Sequence, residues 1–334
     1  MKAKRFWLFL VLAAMWTMAM MPGITQAQTL TIDMAALVAP SHSFSLTAPS
    51  MVSEVEKASG GKIKLTISFG GVHGNDREET EALSMGNLKL CWLTDMGMAS
   101  VISGIGFVNL PYLFPTYESV DKYYFNGFIG EEVQKRLMAK GIRVLGWLEN
   151  DYRNLSNSRR PVSNVSDLKG MKIRVPEFPM LISFFKKLGA SPTPMAFTEL
   201  LTGLQQGTVD GQDNGIVLTY SSGLYQAQKY FTLTHHSYSG GAIVVNEKFW
   251  QSLTPEQRKI IGSAAKKAGQ KQVAMNRGLV DTYNKKMTDT GIKFSELTPE
   301  AQTAFKKAAA EVWKEYNDKF GKDFMDRLNK EMGQ

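Results

Sequence analysis

The feature that most constrains the fold is the stretch Asp167 to Asn214, in which short apolar runs alternate with helical patterns. Residues 171–175 (MKIRV) predict a strand that is closed by a proline. Residues 182–188 and 198–206 predict two helices, each followed by a glycine that can end a helix. The segment VDGQDN then predicts the end of another strand that opens into a turn. The stretch is therefore a βαβ-like unit of an α/β fold.

Polar side chains stand at the ends of these predicted strands. Arg174 lies between apolar residues in the first strand, and Asn214 ends the last one. Ligands of open α/β sheets bind outside the carboxyl ends of the strands, so we expect Arg174 and Asn214 to converge on one spot. A guanidinium group fits a carboxylate in a bidentate pair. From these residues alone, a salt bridge within the fold explains Arg174 equally well.

Longer runs of sequence carry a resemblance to a known family. DLKGMKIRVPE, followed by LGASPTPMAFTELLTGLQQGTVDGQDN, resembles the solute-binding proteins of tripartite ATP-independent periplasmic (TRAP) transporters, of the C4-dicarboxylate-binding (DctP) type. The similarity continues through TLTIDMAALVAPSHS, KLTISFGGVHGNDREETEALSMGNLKL, NLPYLF and FWQSLTPEQRKIIGSAA, and so covers nearly all of the chain after its first residues. It implies a two-lobe periplasmic-binding-protein fold, in which each lobe is a mixed sheet flanked by helices.

The length also favours two lobes, because about 300 residues are more than a single hydrophobic core usually organises. We expect lobe I to comprise residues 28–150 and about 237–280, and lobe II to comprise residues 151–236 and about 281–334. One long helix is predicted from residue 255 to about 291. At about 1.5 Å per residue it would measure on the order of 50 Å, enough to span both lobes.

The first 27 residues predict a secretory signal peptide. Lys2, Lys4 and Arg5 precede an apolar run of 16 residues, Phe6 to Met21, and small residues follow. A retained membrane anchor is the alternative, although a span needs about 20 apolar residues. Export would place the mature protein in the periplasm.

Charge and cysteine usage limit the classes of partner. The formal net charge of +8 becomes +5 once residues 1–27 are removed, since they hold three positive and no negative side chains. The remaining Lys and Arg residues alternate with acidic ones along predicted helices, so we expect no nucleic-acid partner. Cys91 is the single cysteine, which excludes an internal disulfide, and its apolar neighbours predict a core position.

Motifs of enzymes and metal sites are missing from the sequence. The four histidines, His42, His73, His235 and His236, form neither HExxH nor HxH, and there is no GxSxG, Walker or GxGxxG motif. We therefore predict no catalytic residues, no metal and no cofactor.

The resemblance implies roles for particular residues. Arg174 occupies the position of the arginine that pairs with the substrate carboxylate in the family, and Asn214 that of an amide binding the same carboxylate. Arg153, after a predicted strand at residues 142–149, matches a second arginine that reaches the ligand; a surface loop position is its alternative. Phe197 matches an aromatic residue that packs on the ligand body, with ordinary core packing as the alternative.

Four more positions complete the predicted site. Thr94 stands where sialic-acid-binding members carry an acidic residue, which argues against that ligand. Asp213 stands where many members carry Glu, His42 follows the first predicted strand, and Tyr238 lies near a predicted lobe edge.

The sequence thus predicts a monomeric periplasmic protein that clamps an organic acid with arginine, closes about a hinge and delivers the acid to TRAP membrane permease subunits. C4-dicarboxylates, sugar acids, 2-oxo acids and aromatic acids all remain candidates. The alternative is an extracytoplasmic ligand-binding domain that feeds a signalling receptor.

Overall fold

The computed structural model describes residues 29–333, so the predicted signal peptide lies outside the described residues. The strands are β1 (Leu30–Ala36), β2 (Ile63–Phe69), β3 (Leu90–Thr94), β4 (Ile142–Asn157), β5 (Lys172–Val175), β6 (Ser191–Pro194), β7 (Gly211–Asn214), β8 (Tyr230–Asn246) and β9 (Lys293–Glu296). The α-helices are α1 (Ser43–Ala58), α2 (Asp76–Met85), α3 (Asp95–Val101), α4 (Tyr117–Ser119), α5 (Phe128–Met138), α6 (Pro179–Lys187), α7 (Phe197–Gln205), α8 (Ile216–Ser221), α9 (Glu247–Ser252), α10 (Pro255–Asp289), α11 (Pro299–Tyr316) and α12 (Lys322–Met332). Short 3-10 helices occupy Ser103–Asn109, Val165–Leu168, Leu224–Ala227 and Asn317–Lys319, and a π-helix occupies Val120–Phe125.

The strands of the described chain form one mixed sheet in the order β2-β1-β3-β8-β4-β7-β5-β6, with β9 paired to β8. Parallel pairs lie at both ends, where β1 joins β2 and β3, and where β5 joins β6 and β7. The central strands β4 and β8 are antiparallel to each other. The mixed α/β fold predicted from the sequence is confirmed.

The long strands β4 and β8 belong to both lobes. Residues 241–245 of β8 pair with β3 in lobe I, whereas residues 230–233 pair with β9 in lobe II. Similarly, β4 pairs with β7 only through residues 154–157. The prediction that the strand ends at residue 149 was wrong, because three register shifts interrupt the alternation of β4 without ending its hydrogen bonding.

The helix α10 spans both lobes, as predicted. Thr254 caps it and accepts from the backbone of Gln257, while Pro255 occupies the first turn, where a missing N–H costs nothing. Ala265 packs in the lobe I core with Trp92, and Met287 packs in a lobe II cluster. None of the helices in the described residues is long and apolar enough to cross a membrane.

A large hydrophobic core covers the face of the sheet opposite to α10 and continues through both lobes. It includes Cys91 and Phe107 on the lobe I side and Phe184 and Phe305 on the lobe II side, all fully buried. The predicted core position of Cys91 is confirmed. The two lobes thus share this core and the two strands β4 and β8.

Candidate functional site

A cleft lies between the lobes at the carboxyl ends of β3, β5 and β7. It holds about 650 Å³ of empty space, part of which is open to solvent. The structure brings together five of the predicted site residues on its walls: Thr94, Arg153, Arg174, Phe197 and Asn214. The convergence expected from strand ends is therefore found in the geometry.

Arg174 is buried in the lobe II wall and has no acidic ion-pair partner in the part of the chain that the structure describes. Its Nε and Nη2 donate to the carbonyl oxygen of Met195, at 3.0 and 2.7 Å, and its Cζ lies 6.0 Å from the ring centre of Phe197. Its exposed fraction is 3%, and no carboxylate within residues 29–333 lies within ion-pair distance. Burial lowers the pKa of this guanidinium to about 10, so the group remains a cation at neutral pH.

Arg153 is buried as well, but its charge is already balanced. Its Nε donates to Oδ2 of Asp213 at 2.8 Å, and its Nη2 donates to the backbone carbonyl of the same residue. His236 lies 3.4 Å from the same carboxylate oxygen. Burial would raise the pKa of the Asp213 carboxyl, but the charge of Arg153 and the hydrogen bonds of His236 and Arg153 hold it below its ordinary value.

This arrangement excludes one alternative and corrects one expectation. Arg153 lies inside β4 rather than on a surface loop, because the strand continues past its predicted end. Asp213 does not line the cleft; its side chain faces Arg153 from the neighbouring strand β7 and fixes that guanidinium. Asn214, in contrast, lines the cleft, and its Nδ2 donates to Oε1 of Gln212 at 2.5 Å.

The lobe I wall carries a carboxylate that sequence reasoning missed. Asp76 begins α2, lines the cleft, and accepts through Oδ2 from Thr94 at 3.3 Å. Its Oδ1 is enclosed and has no hydrogen-bond partner among the described residues. Burial raises the pKa of Asp76 to about 6, opposed by the Thr94 hydrogen bonds and the charge of Arg174. No signal in the sequence distinguishes Asp76, because an acidic residue is expected in the first turn of any helix.

Thr94 has a structural role besides facing the cleft. Its Oγ1 caps α3 by accepting from the backbone N–H of Gly97 at 3.0 Å. A Cβ at Gly97 would lie 2.4 Å from the Cβ of Asp76, so only glycine allows this close approach. The cap and the glycine together place the Asp76 carboxylate against the end of β3.

The structure places two more predicted site residues away from the cleft wall. His42 caps α1, with Nδ1 accepting from the backbone of Phe44 at 3.2 Å, and burial lowers its pKa to about 3 so that the imidazole is neutral. Tyr238 lies in an aromatic cluster and donates to the Glu149 carboxylate at 3.0 Å. Both are buried by the sheet and its helices, and neither lines the cleft.

The strands that join the lobes carry local strain and lie beside a partly buried ion network. Asp151 and His235 have φ values of +84° and +42°, in the left-handed region that non-glycine residues seldom occupy. Beside them, Arg277 of α10 pairs with Glu149 at 2.9 Å and with Asp121 at 2.7 Å. Strain of this kind clusters at hinges and switch regions.

Comparisons with known proteins agree on a family. The family model DctP, described as bacterial extracellular solute-binding protein, family 7, matches residues 34–319. The chain is 33% identical over 277 residues to a solute-binding protein of Verminephrobacter eiseniae, covering 82% of this chain and 81% of that protein. It is also 33% identical over 229 residues to the 2,3-diketo-L-gulonate-binding periplasmic protein YiaO of Escherichia coli, covering 69% of this chain and 68% of the relative.

A solved structure has the same architecture. The sugar acid binding protein DctPAm from Advenella mimigardefordensis, in complex with galactonate, aligns with a TM-score of 0.87 at 28% sequence identity. The alignment covers 92% of this chain and 99% of that protein.

Proposed function

Because this chain belongs to DctP, family 7 of the bacterial extracellular solute-binding proteins, we propose that it captures an organic acid in the interlobe cleft and delivers it to a TRAP-type transporter. The family consists of transport proteins rather than enzymes. The E. coli relative binds 2,3-diketo-L-gulonate, and the Advenella protein was solved with galactonate. An organic acid is therefore the ligand to test first, and no reaction is expected.

The observation that carries this proposal is the unpaired cation at Arg174. Folding buries Arg174 to 3% exposure without giving it a carboxylate partner among residues 29–333. Burial of an uncompensated charge is costly, so its retention at the wall of a cleft favours a role in binding. A ligand carboxylate in the cleft would supply the missing partner and would accept from the guanidinium in a charge-assisted hydrogen bond.

Three other residues have supporting roles in the proposed clamp. Arg153 keeps its ion pair with Asp213 and also lines the cleft. Asn214 offers an amide beside Arg174, and Phe197 offers a half-buried ring for the ligand body. His42 and Tyr238 support the scaffold around the cleft and take no direct part.

We propose that binding closes the two lobes, which we take as residues 28–150 with about 237–280, and 151–236 with about 281–334. Contacts across the cleft support a closed arrangement: Ser41 of lobe I donates to the carbonyl of Ser221 in α8 at 2.7 Å. Such contacts, together with ligand contacts from both walls, shift the population toward the closed state.

The proposed partners follow from this role. The mature protein would act in the periplasm, and the membrane permease subunits would bind its closed form. A monomer suffices, because one chain supplies both walls of the cleft.

The proposal is tested by a thermal-shift screen of the mature protein against organic acids, followed by calorimetry. A ligand at 100 times its dissociation constant should add about 2.7 kcal/mol to the unfolding free energy. Loss of binding in Arg174→Met would support the clamp. No stabilisation by any acid, or binding that persists in Arg174→Met, would overturn it.

The receptor-linked alternative is separated by a test in cells. Deleting the gene should abolish uptake of the bound acid if the protein serves a permease. If uptake persists while the transcriptional response to the acid is lost, the signalling role is the correct one.

A further inference from the structure

We propose that Arg277 is a positioning residue for ligand binding, which holds residues 149–151 of β4 in the conformation that the closed cleft requires. Arg277 lies in α10 and is not among the residues that line the cleft. The inference rests on the proposed function, because it concerns the closure that follows capture of the acid. It adds to the clamp a residue that acts only through the strand between the lobes.

Residues 149–151 mark the boundary between the lobes within β4. Leu148 pairs with the part of β8 that also pairs with β3 in lobe I, whereas residues 154–157 pair with β7 in lobe II. A register shift separates Glu149 from Asp151, and Asp151 has a φ of +84°. Hinge closure concentrates the change in backbone angles in a few residues at such breaks. We therefore place the hinge of β4 at residues 149–151.

The helix α10 holds the first hinge residue at two points. Nε of Arg277 donates to both carboxylate oxygens of Glu149, at 3.2 and 3.0 Å. The two terminal nitrogens of Arg277 donate to Asp121 of the π-helix in lobe I, at 2.9 and 2.7 Å. Gln272 donates to the backbone carbonyl of Glu149 and accepts from its N–H, both at 2.8 Å. The helix that spans both lobes thus fixes Glu149 by its side chain and by its backbone.

A further contact supports the strained hinge residue. Cζ of Arg277 lies 4.5 Å from the ring centre of Tyr117, and the hydroxyl of Tyr117 donates to Oδ1 of Asp151 at 2.5 Å. A left-handed backbone conformation is unfavourable for a residue with a Cβ, and it persists where neighbouring contacts hold it. Removing Arg277 takes away the group that packs on Tyr117, so Asp151 becomes free to leave this conformation.

The hinge residues are packed directly against the walls of the cleft. Asn150 lines the cleft, between the two residues that Arg277 supports. A Cβ on Gly215 would lie 2.9 Å from the carbonyl oxygen of Asn150 and 3.0 Å from the Cβ of Asp151, so lobe II meets the hinge closely here. Gly215 directly follows Asn214 of the proposed clamp. The hydrogen bond across the cleft to α8 is made in the same structure, so the supported conformation belongs to the closed arrangement.

Calorimetry of two matched variants at pH 7.5 tests the inference. The probe is the tightest binder among galactonate, pyruvate, malate and benzoate. Arg143→Met is the control, because Arg143 also lies in β4, has a similar exposure and donates twice to Glu247, at 2.6 and 2.8 Å, but within lobe I. Arg277→Met should bind the probe at least about fivefold more weakly than the wild type, mainly through faster dissociation. Arg143→Met should stay within about twofold.

The Arg277→Met protein is expected to fold. Burial raises the pKa of Glu149 to about 7, and the hydrogen bond and charge of Arg277 oppose this shift. Without Arg277 the carboxyl therefore takes up a proton and does not remain an unpaired buried anion. Urea unfolding of both variants checks that a loss of affinity is not a loss of folded protein.

Asp121→Asn separates positioning from long-range charge. It leaves Arg277 in place but removes the carboxylate that fixes it to lobe I, so binding should weaken by at least about threefold. If the charge of this network acted on the anionic probe through space, removing a negative charge would tighten binding instead. The Asp121 side chain is partly exposed, so this variant also gives the test if Arg277→Met does not fold.

Wild-type affinity in Arg277→Met, an equal loss in Arg143→Met or tighter binding by Asp121→Asn would each overturn the inference and leave Arg277 a structural role alone. If no acid of the panel binds the wild type, or if Arg174→Met binds the probe normally, the proposed function itself fails.

Discussion

The substitution Arg174→Met should weaken ligand binding strongly but change the stability of the free protein little. Methionine keeps most of the side-chain volume and removes the charge, so Arg174→Met takes away the proposed partner of the ligand carboxylate. Truncating one member of a buried, hydrogen-bonded charge pair costs about 2–5 kcal/mol of binding. We therefore expect the affinity for the cognate acid to fall by about 30-fold to several thousand-fold.

The stability of the free protein should change little, because two effects oppose each other. Burial lowers the pKa of Arg174 from its ordinary value to about 10, and at about 1.4 kcal/mol per tenfold change this is a cost of about 3 kcal/mol for keeping the group charged. The substitution removes that cost but leaves the Met195 carbonyl without its donors, a loss of about 1–3 kcal/mol. The free energy of unfolding should thus stay within about 2 kcal/mol of the wild type, or rise.

Two measurements check the reasoning. Calorimetry with the acid identified by screening gives the affinity, and urea unfolding without ligand gives the stability. Arg174→Lys is the control: it keeps a cation but loses the planar fork, so its affinity should lie between those of the other two proteins. Affinity within about threefold of the wild type in Arg174→Met would refute the clamp, and a loss above about 4 kcal/mol in free-protein stability would refute the idea that Arg174 is uncompensated.

Three further predictions concern stability and are measured by urea unfolding. Arg153→Met should lower the free energy of unfolding by about 3–5 kcal/mol, because it leaves the buried Asp213 carboxylate without its ion-pair partner. A decrease below about 1 kcal/mol would contradict the ion pair. Burial and a neighbouring carboxylate raise the pKa of Glu79 from 4.5 to about 8, so the folded protein holds a proton there that the unfolded chain releases. As the pH rises between these two pKa values, the free energy of unfolding should fall by up to about 1.4 kcal/mol per pH unit. Glu79→Gln should flatten this pH dependence, and an unchanged pH dependence in that variant would assign the effect to another group. In α10, Gly269→Ala should lower the free energy of unfolding by about 1–3 kcal/mol, since its Cβ would lie 2.4 Å from a backbone oxygen of β4. In the control Gly278→Ala the Cβ meets nothing within 4 Å, so this change should stabilise the protein by up to about 1 kcal/mol. Equal effects of the two substitutions would argue against the close packing of α10 on β4.

Local patterns predicted much of the fold. The long helix begins at residue 255, as predicted, and ends two residues before its predicted end. It has a strong cap and clear periodicity, and both act within a few residues. The strands β6 and β9 were not predicted. The sequence of β6, SPTP, places two prolines in an edge strand, and neither strand has a hydrophobic run.

The sequence by itself determined which side chains stand at strand ends. It thereby predicted that Arg174 and Asn214 meet at one cleft, because the strands follow from local pattern and their arrangement follows from the resemblance along the chain. Only the tertiary structure decided which of the two arginines lacks an ion-pair partner among the described residues. Asp213 neutralises Arg153 from 60 residues away, and Asp76 is brought to the opposite wall by the packing of α2 against β3. Charge compensation depends on distances of a few ångströms between segments far apart in the chain, and no local pattern encodes those distances.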